Sequence, residues 1–258
     1  MFDIEGLLGV REGEKPLDVL SPTCGYAGIF KKIGVIGDSK CSGEFESRDE
    51  EGKVSYNDMY EYSWPAILER ITGTKYENYC RGGMTAKEYY DTWADRHGFW
   101  RWNQAYIIAL GNNDTLVLHY PMGTVADVHP EAPEKNADTF FGNMGKIICK
   151  LRGIEPKCRI FLVTPQRRNS PDDVDLDAIP EGLRAFPSMF PFTYVIDMAK
   201  YGPAYDEEMR RRMAMGWHPM PQGYYAYALM IGNYIDYIIR EHMDDFAEIG
   251  FIGTNLHR

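Results

Sequence analysis

KKIGVIGDS, residues 31–39, is the stretch on which the fold turns. It is a short apolar run with β-branched residues, and it stops at Gly37-Asp38-Ser39. A run of that length reads as a buried strand, not a helix. Downstream the same signal returns in alternation with helical spacing. YSWPAILERITG (62–73) reads as a helix ending in Gly, KYENYC (75–80) as a weaker strand, and MTAKEYYDTW (84–93) as a helix. AYIIAL (105–110) is the clearest strand. NADTFFGNMGKIICKLRG (136–153) is an amphipathic helix, and RIFLVTP (159–165) and FTYVIDM (192–198) are two further strands. PQGYYAYALMIGNYIDYIIREHM (221–243) is a long closing helix with Pro at its start. Five strands alternating with helices predict an α/β sandwich around a mainly parallel five-stranded sheet, covered on both faces.

The alternating region, 31–243, reads as one domain. Residues 1–30 precede it as an extension outside the pattern, and 244–258 follow as a tail. Two irregular segments, roughly 114–135 and 166–191, are rich in Pro, Asp, Asn and Gly and read as loops over the rim of the sheet.

Composition narrows the function classes. With 44% hydrophobic residues in 258, the chain has enough apolar side chains for a buried core. A formal charge of −10 argues against a nucleic-acid surface, which needs clustered Lys and Arg. The one dense basic run, Arg210-Arg211-Arg212, follows Glu207-Glu208 and reads as a salted helix face. No apolar stretch approaches membrane-spanning length, and the N-terminus lacks a basic segment followed by an apolar run, so a cytoplasmic location is expected. Five cysteines without CxxC spacing fit reduced thiols better than a disulfide frame or a zinc site.

In open α/β sheets ligands sit beyond the carboxyl ends of the strands. After the first strand come Gly37-Asp38-Ser39, after the second Arg81-Gly82-Gly83, and after the third Gly111-Asn112-Asn113-Asp114. His218-Pro219 lies just before the last helix. A hydroxyl, a glycine pair, an amide pair and an imidazole thus fall on one edge. A serine attacks a carbonyl poorly unless an imidazole takes its proton, and the resulting oxyanion needs donors already aimed at it. The Ser39 N–H, a bare Gly83 N–H and the Asn113 side-chain amide would supply them.

Taken in order, GDS, the second-block Gly, GNND and HP resemble the four blocks of the SGNH hydrolases, also called GDSL esterases and lipases, over roughly residues 31–242. The resemblance implies a flavodoxin-like three-layer fold and ester hydrolysis without metal or organic cofactor. It assigns Ser39 as nucleophile, His218 as base, and Ser39, Gly83 and Asn113 as oxyanion donors, with Gly82 as the fallback should the second block be offset by one. Two departures stand out. Lys40 replaces the Leu that often follows the serine. Met215 stands three residues before the histidine, where the family usually has Asp.

Losing the acid of a triad can cost about four orders of magnitude. Two substitutes stay open: a backbone carbonyl that accepts the Nδ1–H, or another carboxylate. Asp197, at the end of the fifth strand, and Asp206, Glu207 and Glu208 just upstream of the histidine are the candidates. On the main-chain reading, Met215→Asp should raise turnover.

Each residue also has a plainer role. Ser39 could be a helix cap, His218 a packed ring, and Asn113 and Asp114 a loop's own hydrogen bonds. Asp38 reads as structural, bonding the turn that presents Ser39. His119, Asp127 and His129 could form a metal site, and Cys41 could be a rival nucleophile. It is the ordered set of four blocks that favours an esterase or deacylase. Its partner would be a small-molecule ester, with a short acyl group on carbohydrate preferred because no long apolar lid segment is visible. A non-catalytic binding module on the same fold and an acyltransferase are the alternatives.

Overall fold

The computed structural model describes residue 6, residues 8–168 and residues 177–256. The middle of the expected loop at 166–191 and His257 lie outside the described residues. Five parallel strands form the central sheet: β1 (Lys32–Gly37), β4 (Lys75–Asn78), β5 (Ala105–Ala109), β6 (Arg159–Val163) and β7 (Thr193–Ile196), in the order β4-β1-β5-β6-β7. Gly34 pairs with Tyr106 and Ile36 with Ile108, so β1 and β5 lie side by side at the centre. In chain order this is the 2-1-3-4-5 arrangement of flavodoxin-like sheets, in which the winding direction reverses between β1 and β5.

Alternation along the strands sorts their side chains into two cores. Ile33 and Val35 of β1, Ile107 of β5 and Phe161 of β6 face one side, packed with Trp64 and Leu68 of α2 (Trp64–Thr72). Tyr224, Tyr227, Ile231 and Ile235 of the closing helix, Pro221–Glu241, complete that core. Ile36, Tyr106, Ile108, Ile160 and Leu162 face the other side, against Phe140, Met144, Ile147, Ile148 and Leu151 of the helix Phe140–Ile154. A period of two in the strands and 3.6 in the helices is what allows both faces to be dry at once. The expected three-layer α/β/α sandwich is what forms.

The extension before β1 straps the outside of the closing helix. The Ser21 N–H donates to Asn233 Oδ1 at 2.7 Å, the Tyr26 N–H to Asp236 Oδ1 at 2.8 Å, and Arg240 pairs with Glu14 at 2.6 Å. At the other terminus Phe246, Ile249 and Ile252 are buried in the first core. Among the described residues no helix is long and apolar enough to cross a membrane.

One element has no counterpart in the expected rhythm. Between β1 and α2 the chain makes an antiparallel hairpin of β2 (Glu44–Arg48) and β3 (Val54–Asp58). It lies against the short two-residue strands β8 (Ala214–Met215) and β9 (His218–Pro219).

Candidate active site

The end of β1 runs directly into a one-turn helix, α1 (Ser39–Ser42). Asp38 caps it, its carboxylate accepting the Lys40 N–H at 3.0 Å. Capping therefore falls to Asp38, which leaves Ser39 as the first helical residue. Neither its hydroxyl nor its N–H is hydrogen-bonded to another described residue.

The ends of β4 and β5 are stitched to this turn. Gly111 takes φ +123°, a conformation only glycine holds easily, and starts the helix α3 (Asn112–Leu116). Asn112 Nδ2 reaches Asp38 Oδ2 at 3.4 Å, and Asn113 Nδ2 donates to the Met84 carbonyl at 3.1 Å, next to Gly83. An amide nitrogen carries two hydrogens, so Asn113 keeps a second donor. Gly83 sits in a turn at φ +72° with open space where a side chain would be. Asp114 is 1% exposed, and its Oδ1 accepts the Ala86 N–H at 2.9 Å while Oδ2 has no partner. Burial pushes its carboxyl up to about 7, with the Ala86 N–H pulling the other way.

His218 comes from β9, where it pairs across the strand with Met215. α1 packs against β9, so the serine and the histidine belong to touching elements, though no hydrogen bond joins them in the resting chain. The imidazole is largely buried, edge-on to Tyr56 with ring centroids 5.4 Å apart. Two carboxylates of β2 bracket it. Nε2 lies 3.0 Å from Glu44 Oε1, and Nδ1 lies 3.6 Å from Glu46 Oε2.

The Glu46 side chain is 2% exposed. Its carboxylate accepts the Trp217 N–H at 3.0 Å and pairs with Arg48 at 3.0 Å. Burial pushes this carboxyl up, but Trp217, Arg48 and His218 together outweigh burial and hold it below its ordinary value. Gly216 makes the approach possible: it sits at φ +58°, and a Cβ there would collide with the Glu46 carboxylate. Glu44 is anchored by its backbone, whose carbonyl accepts the Tyr224 hydroxyl at 2.7 Å. Its carboxylate lies where a Cβ on Gly82 would stand, so it reaches between the glycine turn and the imidazole.

The acids expected near His218 are used elsewhere. Asp197 is held by Arg184 at 2.7 Å and caps its own helix through the Lys200 N–H at 3.0 Å. Asp206 caps the helix Glu207–Met213 through the Met209 N–H at 2.9 Å, and Glu208 pairs with Arg212 at 2.7 Å. Met215 is half exposed. Glu44 and Glu46 escaped the sequence reading because they lie about 170 residues from the histidine. The available signal was the i, i+2 spacing in EFE, which puts both carboxylates on one face of a strand right after the serine. Among the other readings, Cys41 is buried, and Asp127 is committed to the Thr124 N–H at 2.9 Å. No three metal-ligating side chains cluster among the described residues.

Solved structures with this architecture were found, whereas no protein-family profile and no curated sequence matches the chain. A family two carbohydrate esterase from Clostridium thermocellum, in complex with cellohexaose, superposes with a TM-score of 0.56 at 16% identity, over 90% of this chain and 66% of that one. The chain spans 64% of an active-site mutant of a family two carbohydrate esterase from the same organism, with a TM-score of 0.54 and 16% identity. The lipase/acylhydrolase from Enterococcus faecalis superposes with a TM-score of 0.54 at 16% identity, over 81% of this chain and 95% of that one. The fold is that of the SGNH/GDSL hydrolases.

Proposed function

We propose that this chain is a serine esterase of the SGNH type, in which Ser39 attacks an acyl ester and His218 takes its proton. The observation that carries the reading is the bracketed imidazole beside the nucleophile's helix, with Nδ1 facing a buried carboxylate at 3.6 Å. Glu46 then does what the family's usual acid does from the position of Met215. It favours the tautomer with hydrogen on Nδ1 and stabilises the imidazolium as it forms. At 3.6 Å the contact is longer than a hydrogen bond, and catalytic contacts commonly tighten only when substrate is bound.

Two N–H groups, of Ser39 and Gly83, and the spare hydrogen of Asn113 are the donors for the oxyanion. The proton taken from Ser39 passes through Nε2 to the departing alcohol. Water, activated by the same nitrogen, then releases the acyl group. In the resting chain Nε2 lies 3.0 Å from Glu44 Oε1. Before attack that carboxylate has to move aside, taking with it any proton on Nε2, so that the bare nitrogen faces the Ser39 hydroxyl.

The neighbours named as carbohydrate esterases support an ester of a carbohydrate, and a short acyl group suits a sequence in which no long apolar lid segment is visible. A serine-directed phosphonate tests the nucleophile: labelling of wild type at Ser39, none in Ser39→Ala, and loss of p-nitrophenyl acetate hydrolysis together are the expected result. A fully folded Ser39→Ala variant that hydrolyses the ester at the wild-type rate would end this reading.

A further inference from the structure

The ester chemistry leaves unused a set of cations on the same rim. Lys40, next to the nucleophile, is half-buried, and its ammonium makes no hydrogen bond or ion pair with any described residue. It stands 4.3 Å over the ring of Tyr205 and 6.0 Å from that of Tyr227. The Tyr205 hydroxyl donates to the Trp217 carbonyl at 2.9 Å. On the Trp217 ring lie two guanidiniums, Arg168 at 4.7 Å and Arg210 at 4.4 Å, and Arg210 Nε is buried without a partner. A chain of net charge −10 has thus gathered three cations around two rings, between its nucleophile and its base.

Three described acids around this cluster are occupied. Asp38 is bonded to the Lys40 N–H and Asn112, Glu46 to the Trp217 N–H and Arg48, and Glu208 to Arg212. Burial pushes the Lys40 ammonium down to about 8; Asp38 opposes this and Arg168 adds to it. A half-buried ammonium that has aromatic neighbours but no hydrogen-bonding acceptor is costly, and an arriving anion would offset that cost. Lys40 also lines a small cavity of about 50 Å³ beside the nucleophile's turn, with Asp38 and Asn112 on one side and the apolar Trp64, Leu110 and Val163 among its other walls.

We propose that Lys40 binds an anionic oxygen group of the substrate, a carboxylate or a phosphate, beside the Tyr205 ring, with Arg210 on Trp217 drawing the anion to the rim. The inference rests on the esterase reading and narrows it: the ester is carried by an acidic molecule, such as an acylated sugar acid or sugar phosphate, not by a neutral one. Lys40 is then a specificity residue, placed where the family often carries an apolar side chain.

Three aryl esters of one skeleton test it: 4-acetoxybenzoate, 4-acetoxyphenyl phosphate and the neutral methyl 4-acetoxybenzoate. A charged hydrogen bond to the anion predicts a kcat/KM for at least one anionic ester roughly tenfold above the neutral one at low salt. That ratio should fall to about one in Lys40→Met and return in part in Lys40→Arg. The better of the two anions identifies the group. Hydrolysis of the neutral ester without preference for either anion, or a preference that survives Lys40→Met, overturns the proposal. If none of the three is hydrolysed, the esterase reading fails instead. Calorimetry then decides on Lys40 alone, using Ser39→Ala with 4-hydroxybenzoate and 4-hydroxyphenyl phosphate. Saturable binding of one of them that is lost on adding Lys40→Met upholds the anion site, and no binding of either overturns it.

Discussion

Glu46 Oε2 lies 3.6 Å from His218 Nδ1 and accepts the N–H of Trp217, the residue just before that histidine, at 3.0 Å. One carboxylate thereby bonds the backbone that carries the ring and faces the ring itself. The position of Met215 lies across from the histidine, on β8, whereas the carboxylate that faces the ring comes from the hairpin that follows Ser39.

Removing that charge should cost turnover more than binding. Glu46→Gln keeps the shape and the Trp217 contact but loses the stabilisation of the imidazolium, and kcat should fall by roughly two to four orders of magnitude with KM little changed. Met215 lies opposite His218 across β8 and β9. With Glu46 in place, Met215→Asp should therefore add little, in contrast to the gain expected if only main chain held the ring. In the Glu46→Gln background the same substitution should restore part of kcat. Steady-state kinetics on the two single variants and the double variant check this, and a double variant no better than Glu46→Gln counts against a positioning role.

Glu44 Oε1 lies 3.0 Å from His218 Nε2, the nitrogen that the proposed mechanism pairs with Ser39. Glu44→Ala should open Nε2 to Ser39 and raise kcat/KM roughly several-fold on small activated esters. A loss of activity, with the circular dichroism spectrum unchanged, would instead make Glu44 part of substrate binding.

Asp114 gives the protein an acid-side stability signature. Its folded carboxyl keeps its proton to about pH 7, whereas an unfolded one releases it near the ordinary 3.8. Between those values the native state binds the extra proton, so this group's contribution makes stability fall as pH rises through the window and stay low above 7. Asp114→Asn removes the charge and retains an acceptor for the Ala86 N–H. It should flatten the pH dependence and raise stability at pH 8 by a margin on the order of 1–3 kcal/mol. Urea unfolding at pH 5 and pH 8 measures the difference; an equal effect of the substitution at both values would contradict it.

Lys40 sets an alkaline limit on any preference for anions. The ammonium is charged below about 8 and neutral above, with Asp38, Arg168 and Cys41 the titratable and charged groups that act on it. Wild type should prefer the anionic ester at pH 7 and lose most of that preference by pH 9.5, while the neutral ester shows no matching decline. Parallel kcat/KM profiles for the two esters would contradict a charged Lys40 in recognition.

Much of this molecule is written locally in its chain. Apolar runs such as IGVIG and YIIAL make strands wherever they are buried, and Gly and Pro punctuate the helices between them, so the layers and the positions of Ser39, Gly83, Asn113 and His218 at element ends were legible without coordinates. The hairpin was not. EFESR and VSYND are short and polar, VSYND is largely exposed, and their strand character comes from pairing with each other and from the packing of EFESR against β8 and β9. Which acid meets the histidine was decided by the same packing. Asp197 and Asp206, near in sequence, are drawn off by Arg184 and by a helix terminus, while Glu46 is carried in from far along the chain. Backbone periodicity is a short-range property that neighbouring residues suffice to encode. A contact between two ionisable side chains depends on where distant elements come to rest, and only the folded chain decides that.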